Sequence, residues 1–208
     1  WDLDAVSANN PVFLQDFSRH TSWVNSAALK LVGVDENTAV PEGGRAIKNA
    51  DGVLTGIFME GAQSLVQSAL PILDDARREK AARSAIASLQ REGITSFTDP
   101  ALGPGGEALA GGAMGSGGLA TYARLAAADE LGIRVSVLLL PCGMSGTAEE
   151  FADNLASIEP PTGPDPRMFR VLGVKVFADG IPLSKTSWMH EEYVGGGCGS
   201  LCVGGETD

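Results

Sequence analysis

The sequence predicts an α/β protein whose second half lays down parallel strands. Three observations carry this. Between Ile94 and Ala178, three apolar runs of strand length alternate with two segments of helical spacing. Strands joined through helices pair in parallel, because a tight hairpin cannot return the chain in the same direction. Residues 1–58 instead hold short β-prone runs divided by turn residues. Finally, 208 residues at 44% hydrophobic and 20% charged are enough to bury a sizeable core. The change of rhythm places a boundary between residues 1–58 and 59–208. A doubly wound sheet and a piece of a barrel fit this periodicity equally well.

Taken in order, Val12-Phe13-Leu14 reads as a short strand opened by Pro11. Asn25 or Ser26 caps a helix through Val32, closed by Gly33. Pro41-Glu42-Gly43-Gly44 and Asn49-Ala50-Asp51-Gly52 are turns, the second joining Arg45–Lys48 and Val53–Phe58 as a hairpin. Glu60–Leu70 reads as a helix ended by Pro71. Asp74 or Asp75 starts a stronger one through Arg91, with Ala82, Ala85, Ile86 and Leu89 as its apolar stripe. Strand Ile94–Thr98 follows, with Asp99 just beyond. Eight glycines between Gly103 and Gly118 read as a mobile surface loop, since neither the phosphate-binding nor the dinucleotide pattern is present. Helix Leu119–Leu131, strand Ile133–Leu140 and helix Thr147–Ile158 come next. Thr147 and Glu150 form a capping box. A proline-rich linker leads to strand Phe169–Ala178. The strand ends direct Asp99, Cys142 and Asp179 to one rim, where parallel α/β folds do their chemistry.

The net charge of −11 argues against a nucleic-acid or anionic-membrane partner. No apolar run approaches the roughly 20 residues of a membrane span, and no signal segment is visible. Three cysteines, Cys142, Cys198 and Cys202, read as free thiols of a reducing compartment, which places the protein in the cytoplasm. A zinc knuckle at Cys198 and Cys202 would need two further ligands, and only the distant His20 and His190 are available. The chain opens on Trp1 and closes on Gly-Glu-Thr-Asp, as a piece of a longer polypeptide would.

Lys175 is the residue that composition does not explain. In Val171–Gly180, Leu172, Val174, Val176 and Ala178 share one apolar face by alternation, and Lys175 lies on the other with Gly173 and Phe177. A lysine there is either a structural ion pair or a working group.

Around it the phrases become recognisable. Asn10-Pro11-Val12-Phe13-Leu14, Arg19-His20-Thr21-Ser22-Trp23-Val24-Asn25-Ser26-Ala27-Ala28-Leu29, Pro41-Glu42-Gly43-Gly44 and Asp51-Gly52-Val53-Leu54-Thr55-Gly56 are followed in order by three more. These are Gly93-Ile94-Thr95-Ser96-Phe97-Thr98-Asp99, Val174-Lys175-Val176-Phe177-Ala178-Asp179-Gly180 and Lys185-Thr186-Ser187-Trp188-Met189-His190-Glu191-Glu192-Tyr193. Together they resemble the metal-dependent amidohydrolase family 3, of the N-substituted formamide deformylase type, as a partial chain. The resemblance implies part of a distorted (β/α)8 TIM barrel, about its second to fourth strands, with residues 1–58 as a β-rich insertion and 59–208 as the barrel segment. It implies hydrolysis of an amide-like C–N bond in a small molecule by a metal-activated water. The divalent metal would be zinc, one or two ions. Lys175 would be the metal ligand, carrying a carbamate derived from carbon dioxide.

The same resemblance puts His20 near the substrate pocket; the plainer reading is a loop histidine bonded to backbone. Asp179, beside the lysine strand, is the other substrate-binding candidate. No catalytic residue is assigned, because the family's His-x-His pair, later histidines and catalytic aspartate have no counterpart between Trp1 and Asp208. Asn25 and Asp99 read first as caps, Trp23 as packing, Glu60 as complementing a helix dipole, and His190, Glu191 and Glu192 as a solvated face. Ser184, Ser187 and Ser200 lack a nucleophile elbow. The chain alone is expected to be inactive, with raw sheet edges that leave self-association open. The alternative is a non-catalytic α/β binding or regulatory module derived from that family.

Overall fold

The computed structural model describes residues 2–41, 43–107, 109–143, 146–199 and 201. The chain divides into two units. One takes in residues up to Leu70 and those from Phe177 on; the other takes in Pro71–Gly143 and Thr147–Val176.

The first unit contains α1 (Asp2–Val6), β1 (Phe13–Gln15), β2 (Thr21–Val24), α2 (Ser26–Val32), β3 (Arg45–Lys48), β4 (Leu54–Met59) and α3 (Ser64–Gln67). Its strands form an antiparallel sheet in the order β1-β2-β4-β3. The expected hairpin is β3–β4. Asn49 Oδ1 accepts from the Asp51 and Val53 amides, and Gly52 takes φ +80°, as this turn demands. Alternation along β4 sends Leu54 and Phe58 inward, onto Val24, Ala28, Leu29, Ala62 and Val66. Asn25 caps α2 as expected, and Gly33 closes it in the left-handed region. The helix expected over Glu60–Leu70 is instead a 3-10 turn, Glu60–Gln63, running into α3. Glu60 sits at φ +50°, which an α-helix cannot include.

The second unit contains α4 (Asp75–Arg91), β5 (Ser96–Leu102), α5 (Ser116–Ala127), β6 (Arg134–Leu139), α6 (Ala148–Ser157) and β7 (Phe169–Val174). As the alternation predicted, β5, β6 and β7 are neighbouring parallel strands in that order. Asp74 caps α4 through the Arg77 amide, and the Thr147–Glu150 capping box opens α6. One face of the sheet is packed: Val135, Val137, Leu139 and Phe169 join Ile86, Leu119, Leu125 and Ala126 in the core.

Three expectations fail in this unit, each for a local reason. β7 ends at Val174 rather than Ala178, and its supposed apolar face is exposed: Leu172 is 52% accessible, Val174 40% and Val176 45%. Phe169 and Val171 are the core-facing residues instead. A bulge shifts the alternation at Leu172 and leaves Val174, paired with Leu139, on the core side of the sheet but exposed at its end. Val137 pairs with Val171 but Leu138 pairs with Gly173, so one extra residue breaks the two-residue count. Asp99 is not beyond its strand but inside it, opposite Val137 and therefore on the core face. The glycine-rich segment is not a loose surface loop. Among its described residues it forms two 3-10 turns, and Gly106, Gly111 and Gly112 are buried. A Cβ on Gly106 would stand 2.0 Å from the Met114 carbonyl oxygen, and one on Gly105 would stand 2.2 Å from the Cys142 carbonyl carbon. These glycines are there for close backbone approach.

Candidate functional site

In the first unit, His20 immediately precedes β2 and Glu60 immediately follows β4, and β2 and β4 are paired. The Glu60 amide donates to the His20 carbonyl at 3.0 Å, which locks the two residues side by side. Their side chains meet: His20 Nδ1 is 2.7 Å from Glu60 Oε2. The other carboxylate oxygen, Oε1, accepts from Thr186 Oγ1 at 2.5 Å. Thr186 Oγ1 in turn accepts from the Ile181 amide at 3.0 Å. Glu60 is 1% exposed and Thr186 4%. A carboxylate this deep is costly unless both oxygens are bonded, and here both are. Gln63 donates to the carbonyls of Arg19 and Glu60, bracing the turn that carries the histidine. Arg19 and Glu60 both take positive φ, 68° and 50°. Non-glycine residues held there cost about 1–3 kcal/mol each and gather at functional sites.

Asp179 lies in a loop of the same unit. Its Oδ2 accepts from Ser187 Oγ at 2.7 Å and from the Trp188 amide at 2.9 Å, closing residues 179–188 into a ring. A Cβ on Gly180 would stand 2.2 Å from Thr186 Oγ1, so glycine is what lets Thr186 reach Glu60. His20 and Thr186 therefore converge on Glu60, while Asp179 organises the loop that delivers Thr186. His190, Glu191 and Glu192 are exposed. Cys202 and Ser200 lie outside the described residues.

In the second unit, Lys175 follows the end of β7 by one residue and is half-buried, its amide donating to the Leu139 carbonyl at 2.6 Å. The bulge puts Gly173, and by alternation Lys175, on the face of Leu138 rather than on the packed face of Phe169 and Val171. Asp99 accepts from Tyr122 Oη on α5 at 3.3 Å, and burial holds its carboxyl above the usual range. Burial and the Asp99 charge push the Tyr122 phenol up as well. This is a structural pair on the helix side. Burial also raises the Cys142 thiol, so it is no ready nucleophile. A cleft of about 390 Å³ lined by Gln90, Ile94, Thr95 and Arg134 sits where β5 and β6 begin, the end of the sheet opposite Lys175. Among the described residues no three His, Cys, Asp or Glu side chains gather as a metal site would.

Sequence reasoning gives Glu60 only a helix dipole to complement, where the structure gives it His20 and Thr186, and it passes over Thr186 altogether. A charge directly after the alternating Leu54–Met59 run was the one visible hint for Glu60. Nothing local marks Thr186, whose partner lies 126 residues away.

Comparison with known proteins places the chain. A model of the amidohydrolase family, Amidohydro_3, matches residues 1–205. The Bacillus subtilis (strain 168) protein YtcJ, named as an amidohydrolase, is 29% identical over 192 residues, 92% of this chain and 33% of its own length. The N-substituted formamide deformylase of Arthrobacter pascens is 45% identical over 69 residues, 33% of this chain and 13% of its own. The crystal structure of an uncharacterized metal-dependent hydrolase from Pyrococcus horikoshii OT3 superposes on 96% of this chain and 35% of that one, with a TM-score of 0.58 at 20% identity. The chain belongs to the amidohydrolase family. It spans about a third of the length of YtcJ and of the Pyrococcus chain.

Proposed function

We propose that this chain is part of a divalent-metal hydrolase that cleaves an amide-like C–N bond of a small molecule with a metal-activated water. The observation that carries the reading is Lys175: a half-buried lysine at the C-terminal end of a parallel strand, on the face turned away from the helix-packed core. Active sites of parallel α/β folds lie at that end of the strands. Family membership and the likeness to a formamide deformylase support the same chemistry. In this reading β5, β6 and β7 are the second to fourth strands of a distorted (β/α)8 barrel. Residues 1–58 are a β-rich insertion and 59–208 a barrel segment. Lys175 carries a carbamate and binds zinc, one or two ions. His20 and Asp179 contact the substrate.

Lys175 is the one metal ligand proposed for this chain, and the described residues do not complete a set around it. When bound, such a metal supplies a water of lowered pKa and polarises the substrate carbonyl. The partner is a small amide, with neither nucleic acid nor membrane, and the compartment is the cytoplasm. Among the described residues no helix is long and apolar enough to cross a membrane.

The test is Lys175→Ala in the protein at the length of its relatives, with metal per chain and turnover of N-formyl and N-acyl amines measured together. Both should fall by more than the roughly 10–100-fold that losing a partner behind the ligands costs. Ordinary metal content with ordinary turnover would make the lysine structural and end the reading. The 208-residue chain, assayed alone with zinc and bicarbonate, should stay at background.

A further inference from the structure

The polar chain Ile181–Thr186–Glu60–His20 has a direction. The Ile181 N–H can only donate, so Thr186 Oγ1 receives it at 3.0 Å. The threonine proton then goes to Glu60 Oε1 at 2.5 Å in preference to the Ile181 carbonyl at 3.3 Å. A carboxylate that accepts at one oxygen and is buried has its other oxygen left to accept as well, and Nδ1 of His20 lies 2.7 Å from it. With Glu60 as the carboxylate, Nδ1 is the donor of this bond, and the Nδ1–H tautomer leaves its lone pair on Nε2. His20 is 24% exposed at its side chain, and Nε2 has no partner among the described residues.

We propose that Glu60 and Thr186 are positioning residues that hold His20 as its Nδ1–H tautomer, so that Nε2 accepts a hydrogen bond from a donor on the substrate. Resting on the amide reading above, this names the substrate more closely: an amide that keeps an N–H, such as an N-monosubstituted formamide, rather than an N,N-disubstituted one. Nε2 takes that N–H and leaves the carbonyl oxygen to other groups. A site built to bond a substrate N–H rejects the analogue without it, because the acceptor is then left unpaired. The positive φ at Arg19 and Glu60 and the braces from Gln63 fit a ring whose orientation is fixed at some energetic cost.

The first measurement is spectroscopic and independent of turnover. The full chain is labelled with ¹⁵N-histidine, and long-range ¹H–¹⁵N correlations report the tautomers. The chain has two histidines, and His20→Gln assigns the signals. His20 should show Nδ1 protonated and Nε2 bare near neutral pH, while exposed His190 shows the averaged pattern of an unheld ring. An Nε2–H tautomer, an averaged ring or an imidazolium at His20 would overturn the proposal. Glu60→Gln, which can still present an amide oxygen to Nδ1, should keep the Nδ1–H form, and Glu60→Met should lose it. The second measurement uses the active protein with a formamide and its N-methyl counterpart. The N–H substrate should be favoured roughly tenfold or more in kcat/KM, and His20→Phe, which has no acceptor, should bring that ratio towards one. A ratio that His20→Phe leaves unchanged would overturn the acceptor role. Turnover of neither compound would end the amide reading and its substrate, while the tautomer spectrum still decides Glu60 and Thr186.

Discussion

At Asn25 one buried side chain serves two purposes. Its Oδ1 accepts from the Ala28 amide, which caps α2, and from the Val12 amide. Its Nδ2 donates to the carbonyls of Ser7 and Asn10, pinning the segment after α1. Asp caps helices as well as Asn does, yet here a carboxylate would face two carbonyl oxygens. Asn25→Asp is therefore expected to lower Tm about as much as Asn25→Ala, each costing roughly 3 kcal/mol or more through lost and unpaired bonds. A mild Asn25→Asp would show that only the cap matters. Asp99 gives a pH test. Burial raises its carboxyl, so the folded chain holds that proton more tightly than the unfolded chain does. Stability contributed by the protonated form is present below the unfolded value and is lost as pH rises through the folded one. Asp99→Asn should melt higher than the parent near pH 7, the gain closing below about pH 4, where both states are protonated. A gain that is constant with pH would mean the charge is irrelevant.

Among the elements, α6 depends most on its ends, since none of its residues is fully buried. Thr147→Ala removes half of the capping box and should cost about 1 kcal/mol. Hydrogen exchange should show α6 amides losing protection roughly fivefold while β6 amides keep theirs. Equal loss in both would mean that α6 does not open on its own. The elements that sequence reasoning found are those with local chemistry at both ends: α4 between Asp74 and Gly93, α6 behind Thr147, and the β3–β4 hairpin around Asn49 and Gly52. The parallel order of β5, β6 and β7 was legible too, because connection length dictates it. What stayed hidden depends on partners remote in sequence. Neither bulge, at Asp99–Leu102 or at Val171–Gly173, has a local signature, yet each changes which face a side chain shares. The burial of Glu60 needs Thr186, and the glycine-rich segment is packed because the backbones of Cys142 and Met114 come close to it.

For the whole molecule, the exposed Leu172, Val174 and Val176 lie on or just after β7, which among the described residues is the last strand of its sheet. An edge strand invites pairing with another chain. The 208-residue chain should therefore sediment as oligomers or bind a dye specific for apolar surface. Leu172→Ser with Val176→Ser should weaken either behaviour. A monomer that binds no dye would show that this face is covered from within.

The bond between Thr186 and Glu60 also sets a timetable. Its two ends are 126 residues apart in sequence, and the whole of the second unit is encoded between them. At about 5–20 residues per second, a ribosome needs roughly 6–25 s after making Glu60 before it makes Thr186. During that interval the antiparallel sheet can form, but the acid at its edge has only water and the imidazole for company. The histidine is thus set in place late, by a turn of chain made only after the whole second unit, and a polypeptide released before that turn carries the ring without its brace.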